Sequence, residues 1–457
     1  MMSPAPSARR ERQKGNDMSG KAAGQLLVQR RFLPLFTLFQ TGTFNDNTLK
    51  NALIAMITFG GFAFLSDLPS AVRVPVAALI FTGPFTILCA IAGQIADKFD
   101  RGVIFRWVKR AEVLIMALAA LGFALKNVHI LALCLGLMGA QSAFFSPTKN
   151  AVLPQWLSEK ELITGNALMS GFQFSILLVG TVIGLGVLKF GTPVISALLF
   201  ILALVGWFAA EMTPPAPAPQ PDLKVNYEPI TATFNVLKKA FENQDVLRPL
   251  LGVAWFYGLS TVFVTTFPDY VASVMKYEEG VLMMMLASST ISILIGSLLT
   301  LVIGSWKIWG PESVGLSALG ITGVTLFVLM LCLVPSPTYA GAETFGPVSD
   351  FTQNPHMPLF MMAIIGASIC NGLFLVPLQA MAQRRSNPNI RAQLMSAGSV
   401  LLNLFVNLTT FGLIGLATMK FAPKTPFIMI AIGSAIVAAY AIYRTLNPIT
   451  RYVETEI

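Results

Sequence analysis

Asp46 and Lys50 stand four residues apart inside the first long apolar run of the chain, within Phe44-Asn45-Asp46-Asn47 and the turn that follows. Each such charge at the centre of a membrane-crossing helix costs about 2.5–3.5 kcal/mol even on the lower scales, so it is usually kept for a task. A carboxylate there can receive a cationic group or a proton. Gln40, Thr43 and Asn47 share one helical face, with Asp46 and Lys50 beside it. At 1.5 Å per residue, Asp46 lies roughly 21 Å into the run from Phe32, near its middle. The pattern reads as the polar wall of a central cavity. The competing reading is a self-neutralising i,i+4 pair, favourable in this order. A helix that only packs has no use for Asn45, Asp46, Asn47 and Lys50 together, which favours the cavity.

Further polar residues follow. Ser142 and Lys149 share a face only if their helix continues through Pro147, which can kink it. Lys149 can hold a phosphate as a point charge or snorkel to the membrane surface; position alone leaves both open. The fifth run puts Asn166, Ser170 and Gln173 on one face, and its Gly180 and Gly184 form a small-xxx-small pair suited to a close helix contact. The later spans are almost free of charge. Their polar residues are neutral, among them Asn371, Gln379, Asn403 and Asn407; the last two, four apart, line a cavity or bond between helices. Met283, Met284 and Met285 offer adaptable apolar lining or plain packing. A charged first half and an apolar second half suit an amphiphile: Asp46 and Lys50 complement a zwitterion such as phosphoethanolamine, and the second half takes a hydrocarbon tail.

The elements that must position these residues follow from composition. The chain is 54% hydrophobic and 12% charged over 457 residues, where a soluble domain carries about 25% charged. Its mean hydropathy is +0.69. Apolar runs long enough to cross a bilayer recur, and the short alternating segments of a barrel are absent. The expected fold class is an all-α polytopic membrane protein with twelve transmembrane helices in two six-helix halves. The spans are read near 33–62, 74–96, 108–125, 128–148, 165–189, 192–211, 249–271, 281–304, 314–334, 358–381, 393–418 and 424–445. With the N-terminus inside, 24 of the 31 Lys and Arg fall in inside segments, 6 fall outside, and Lys50 is the remainder. That bias predicts two cytoplasmic termini and accounts for the net charge of +9 without a nucleic-acid partner.

The organisation read from this is a basic cytosolic arm over 1–31, a first half over 32–212, a Pro-rich linker over 213–247, a second half over 248–446 and a tail over 447–457. Met18 is an alternative start. In the linker, Ile230, Phe234, Leu237 and Phe241 recur at helical spacing, as in a short helix on the membrane surface; a plain linker is the other reading. The four cysteines all lie in apolar runs, which argues for packing rather than disulfides. Neither histidine has an acid five residues on: Cys134 follows His129 and Met361 follows His356. Acyltransferase chemistry of the His-x-x-x-x-Asp kind is therefore not expected, and no metal, cofactor or enzyme activity is predicted.

Two six-helix halves joined by a cytosolic linker resemble the major facilitator superfamily. Gly93-Gln94-Ile95-Ala96-Asp97-Lys98-Phe99-Asp100-Arg101 is similar to its Gly-x-x-x-Asp-Arg-x-Gly-Arg signature, with Asp100 in place of the second Gly. The resemblance implies gating roles for Gly93, Asp97 and Arg101; the corresponding loop Gly304-Ser305-Trp306-Lys307 has lost the acid. Arg31-Phe32-Leu33-Pro34-Leu35-Phe36, Gly42-Thr43-Phe44-Asn45-Asp46-Asn47, Lys50-Asn51-Ala52-Leu53, Phe145-Ser146-Pro147-Thr148-Lys149 and Gly165-Asn166-Ala167-Leu168 together look like the bacterial lysophospholipid transporter family within it. Asp46 and Lys149 match that family's acid in span 1 and basic residue after span 4, although Asn150 stands where an aromatic residue often follows. The resemblance implies flipping of lysophosphatidylethanolamine-type lipids from the outer to the inner leaflet of a bacterial inner membrane; a monomer is expected. A separate acyltransferase/acyl-carrier-protein synthetase is the expected partner. Asp46 and Glu112 are the acids available for ion coupling, and a Lys50 partner for Asp46 argues for flipping without a proton. A proton-coupled exporter of drugs or amphipathic solutes is the alternative.

Overall fold

In a computed structural model the chain is helical throughout its long elements; residues 24–58, 70–186, 190–303, 314–341, 345–419 and 421–447 are described. The expectations for the start at Met18, for most of the arm, for Lys307 and its loop, and for nearly all of the tail lie outside the described residues. Twelve helices of 20 residues or more are present among those described: α1 Leu33–Thr58, α2 Ser70–Lys98, α3 Arg101–Ala124, α4 Val128–Trp156, α5 Glu159–Leu185, α6 Thr192–Glu211, α7 Gln244–Asp269, α8 Glu279–Ile303, α9 Val314–Leu333, α10 Met357–Arg385, α11 Arg391–Thr418 and α12 Thr425–Leu446. A linker helix, Pro229–Glu242, lies between α6 and α7.

Ten of the twelve are long and apolar enough to cross a membrane. The other two, α1 and α3, carry Asp46 with Lys50 and Lys109 with Glu112, so the polar helices are the ones with a site to build.

The two halves repeat one packing scheme. In the first, α1 packs on α5, α2 on α4, and α3 on α4 and α6; in the second, α7 packs on α11, α8 on α10, and α9 on α10 and α12. Small residues permit the closest crossings. A Cβ on Gly184 would stand 2.5 Å from Thr48 O, and one on Gly180 3.0 Å from Phe44 O, so this pair sets the α1–α5 approach.

Helix ends follow local chemistry. Asp100 caps α3 by accepting Val103 N–H at 3.1 Å, Asn127 caps α4, and Ser158 with Glu161 forms a capping box on α5. Several helices run further than the apolar pattern reaches. α3 begins at Arg101 rather than near 108, α4 continues through Pro147 to Trp156, and α10 runs to Arg385. The α3 extension carries Arg101, whose partner Asp97 is buried, and the α4 extension carries Lys149, which faces the cavity; hydropathy registers neither.

The linker is a strap as well as a helix. Ala216 N–H donates to Asp100 (3.0 Å), Arg101 N–H to Ala216 O (3.0 Å), and Gln220 N–H to Asp97 O (2.9 Å). Asp100, where the resemblance has Gly, thus both starts α3 and ties down the strap. The linker helix docks on α2 and α11 through the small buried face of Ala232, Val236 and Ala240. Its larger apolar residues Ile230, Phe234 and Phe241 stay exposed.

Candidate functional site

A cavity of about 290 Å³ opens between the halves. Its wall is unequal. The first half supplies the charges, Asp46 and Lys50 from α1, Lys109 from α3 and Lys149 from α4. The second half supplies neutral residues, among them Leu250, Val253 and Tyr257 from α7 and Met395 and Leu402 from α11.

Asp46 is held by α4. Ser142 Oγ donates to its Oδ2 at 3.0 Å, and its Oδ1 is buried without a hydrogen-bond partner. The expected Asp46–Lys50 pair is not formed: Lys50 Nζ turns to Asn47 Oδ1 at 3.3 Å, and no ion pair joins it to Asp46 among the described residues. An unpartnered carboxylate oxygen at a cavity wall is an acceptor awaiting a donor.

Because α4 continues through Pro147, Ser142 and Lys149 do share the cavity side. Lys149 points inward rather than to the membrane surface, its Nζ lying 3.8 Å from the centroid of the Phe39 ring. Phe39 stacks on Phe145 at 5.9 Å, and Lys109 Nζ lies 5.7 Å from the Phe145 ring. One aromatic pair therefore carries an ammonium at each of its two rings.

The remaining expected binding residues divide. Asn47 and Gln173 line the cavity. Asn45 does not; it points between α3 and α6, donating to Glu112 (2.9 Å) and Leu199 O (3.3 Å). Gln40 donates to Met169 O on α5 at 3.3 Å. Asn166 is engaged across the halves, exchanging two hydrogen bonds with Gln383 of α10 (2.7 and 3.1 Å). Asn403 bonds back to Ser399 O of its own helix at 2.8 Å, and Asn407 is exposed. The second-half wall is instead polar at Gln379, Gln383 and Ser399. The three methionines of α8 are not part of it.

The end of the bundle where α1 begins is closed. Asp97 and Arg101 form a buried i,i+4 ion pair at 2.8 Å, and Asp97 also accepts Ala392 N–H (3.0 Å) and Gln393 N–H (3.1 Å). A carboxylate of the first half thereby caps α11 of the second, favourable for both charge and orphan N–H groups. At Gly93 a Cβ would stand 2.5 Å from Ser396 Oγ and 2.9 Å from Ala392 O, so α2 and α11 meet only with hydrogen there. Asn166–Gln383 and Ser170–Gln379 (2.6 Å) bond across α5 and α10.

Lys109 is not among the site residues expected from the sequence. Lys109 Nζ pairs with Glu112 Oε2 at 2.6 Å, both side chains fully buried. The Lys-x-x-Glu spacing was the available signal.

The chain matches the Major Facilitator Superfamily over residues 52–346. It is similar to the lysophospholipid transporter LplT of Enterobacter sp. (strain 638), 24% identical over 405 residues that cover 87% of this chain and 91% of that protein. The protein of that name from Klebsiella pneumoniae subsp. pneumoniae is 22% identical with the same coverages. Among solved structures, a bacterial homologue of the iron transporter ferroportin in an outward-facing state shares the fold with a TM-score of 0.59 at 14% identity, over 90% of this chain and 99% of that one. The E. coli fucose:proton symporter FucP does so with a TM-score of 0.63 at 13% identity, over 90% of this chain and 98% of that one.

Proposed function

Since this chain belongs to the Major Facilitator Superfamily and is a multi-pass membrane transporter, we propose that it moves lysophosphatidylethanolamine-type lipids from the outer to the inner leaflet of a bacterial inner membrane, where a partner acyltransferase/acyl-carrier-protein synthetase reacylates them. The observation that carries this reading is the division of the cavity wall: every charge belongs to the first half, and the facing wall is neutral and largely apolar. An amphiphile needs both. Asp46, with Oδ1 free, receives the ammonium of the headgroup; Lys149, which has no carboxylate partner among the described residues, receives the phosphate. The acyl chain lies against Leu250, Val253 and Leu402. The LplT relatives carry lysophospholipid transport in their name, which supports the same substrate class.

With the N-terminus inside, as the positive-inside rule reads it, the closed end faces the cytoplasm and the cavity faces the outer leaflet. Transport then proceeds by breaking the Asp97–α11 cap and the Asn166–Gln383 clasp while the opposite end closes.

A second reading, proton-coupled export of amphipathic solutes, is favoured by one observation: Lys50 does not neutralise Asp46, leaving a buried acid open to a proton. Uptake of radiolabelled lysophosphatidylethanolamine into spheroplasts lacking their own carrier separates the two. Uptake that requires Asp46 and survives an uncoupler supports flipping without a proton. Uptake abolished by the uncoupler indicates coupling, and none above empty vector removes the lipid reading.

A further inference from the structure

We propose that Glu112, which does not itself border the cavity, determines which headgroup charge the cavity accepts, by neutralising the charge of Lys109. The inference rests on the lysophospholipid reading and specifies how that site discriminates.

Glu112 is fully engaged. Besides Lys109, it accepts Asn45 Nδ2 at 2.9 Å and Gln141 Nε2 at 3.2 Å. Lys109 is not: among the described residues, Glu112 is its one hydrogen-bond acceptor. Its ammonium stands 2.8 Å from where a Cβ on Gly42 would be, and Gly42, Phe145 and Lys109 itself all border the cavity. The missing side chain at Gly42 is thus a gap in α1 through which the Lys109 ammonium abuts the substrate space.

The charge balance then depends on Glu112. Three ammoniums border the cavity, at Lys50, Lys109 and Lys149, with one carboxylate, Asp46. With Glu112 set against Lys109, a single cationic charge remains in excess. That suits a phosphate whose own substituent carries an ammonium for Asp46. Without the Glu112 charge, a second cation is released into a site of low polarisability, where an uncompensated charge weighs heavily. The site then suits a phosphate whose substituent is uncharged. Glu112 is a positioning residue in this scheme, and Lys109 is the group that meets the lipid.

The test is the ratio of lysophosphatidylglycerol to lysophosphatidylethanolamine uptake in spheroplasts lacking their own carrier. Glu112→Gln is expected to raise that ratio by about tenfold or more. Lys109→Met lowers it, and the double variant returns it toward wild type, a pattern that loss of folded protein alone does not produce because both lipids report on the same molecules. Gly42→Ala changes no charge but fills the gap; added to Glu112→Gln it is expected to bring the raised ratio back down, and Lys109→Met alone keeps the proposal falsifiable if Glu112→Gln does not insert. An unchanged ratio in Glu112→Gln, or in Lys109→Met, while wild type takes up lipid, overturns this inference and leaves the proposed function standing. Wild type that takes up neither lipid overturns both.

Discussion

Asp97 takes both the backbone N–H and the side-chain amide of Gln393 on one carboxylate oxygen, at 3.1 and 3.2 Å, although the two residues belong to opposite halves of the bundle. Its other oxygen takes Ala392 N–H and Arg101. The seam is therefore closed by a helix cap, a group of interactions that one rigid-body movement makes or breaks together. Asp97→Asn removes the charge and leaves one acceptor oxygen for four donors. Loss of such charge-assisted bonds costs about 1.5–3 kcal/mol, and 1.4 kcal/mol already shifts a two-state balance tenfold. A cysteine placed at Ser396, buried on the seam against Gly93, is expected to react at least about ten times faster with a polar maleimide in this variant. An unchanged rate would show that the cap does not hold the seam.

Lys149 should act on the phosphate, with Phe39 as its platform. The ammonium lies 3.8 Å from the ring centroid, and desolvated cation–π contacts contribute about 2 kcal/mol. Phe39→Leu keeps the wall apolar but removes that platform. The expected result is a rise in KM for lysophosphatidylethanolamine of about fivefold to thirtyfold, with kcat less affected. Lys149→Met is expected to abolish saturable uptake, and Lys149→Arg to restore part of it. Equal kinetics in the wild type and Lys149→Met would remove Lys149 from the site.

Three adjacent polar residues of α1 make a sharper comparison. Asn45 joins α3 and α6, Asp46 meets α4, and Asn47 borders the cavity. Asn45→Leu leaves the buried Glu112 Oε1 without its donor, at a cost of about 1–3 kcal/mol. It is expected to lower the thermal midpoint of the purified protein while leaving KM within about twofold. Asp46→Asn is expected to do the reverse, with little effect on the midpoint and a loss of uptake. If both variants move the same quantity, the division of roles between neighbouring residues is wrong.

What the sequence made legible was the membrane class, the twelve long helices and the polar face that α1 turns to the cavity, because hydropathy and charge within an apolar run are local signals. The direction of each polar side chain was less legible. Consecutive residues on a helix turn about 100° from one another, so Asn45, Asp46 and Asn47 cannot share a wall, yet they were read as one. Asn166 is expected as a binding residue because it shares a polar helix face with Ser170 and Gln173. Its partner Gln383 stands 217 positions away, and only the folded pair shows a clasp. Lys109 stands at the very start of the span expected over 108–125, where a cation reads as a membrane-end charge; the ion pair with Glu112 is what lets the helix carry that charge inside. Asp46 and Lys50 have the spacing of a pair, but Ser142 from α4 competes for the carboxylate, and no pattern within α1 reveals that donor.

The linker helix offers a prediction outside the membrane. Glu228 caps its first turn, accepting Thr231 N–H at 2.6 Å and Ile230 N–H at 3.1 Å. Hydrogen bonds from Thr231, then the backbone bond from Ile230, hold the Glu228 carboxyl below its ordinary value of 4.5. A carboxyl depressed in the folded state contributes fully above its unfolded value, and the contribution fades as pH falls through the folded value. The cap is therefore complete at neutral pH and lost in acid. In Glu228→Gln the amide still accepts one bond but carries no charge at any pH. Hydrogen exchange at Ile230 and Thr231, compared between wild type and this variant, is expected to show stronger protection in wild type at neutral pH, and the difference should close once the pH has fallen through the depressed value of Glu228. A difference that persists below that value would mean that the charge of Glu228 is not what starts the helix, and that the docked face of Ala232, Val236 and Ala240 holds it in place unaided.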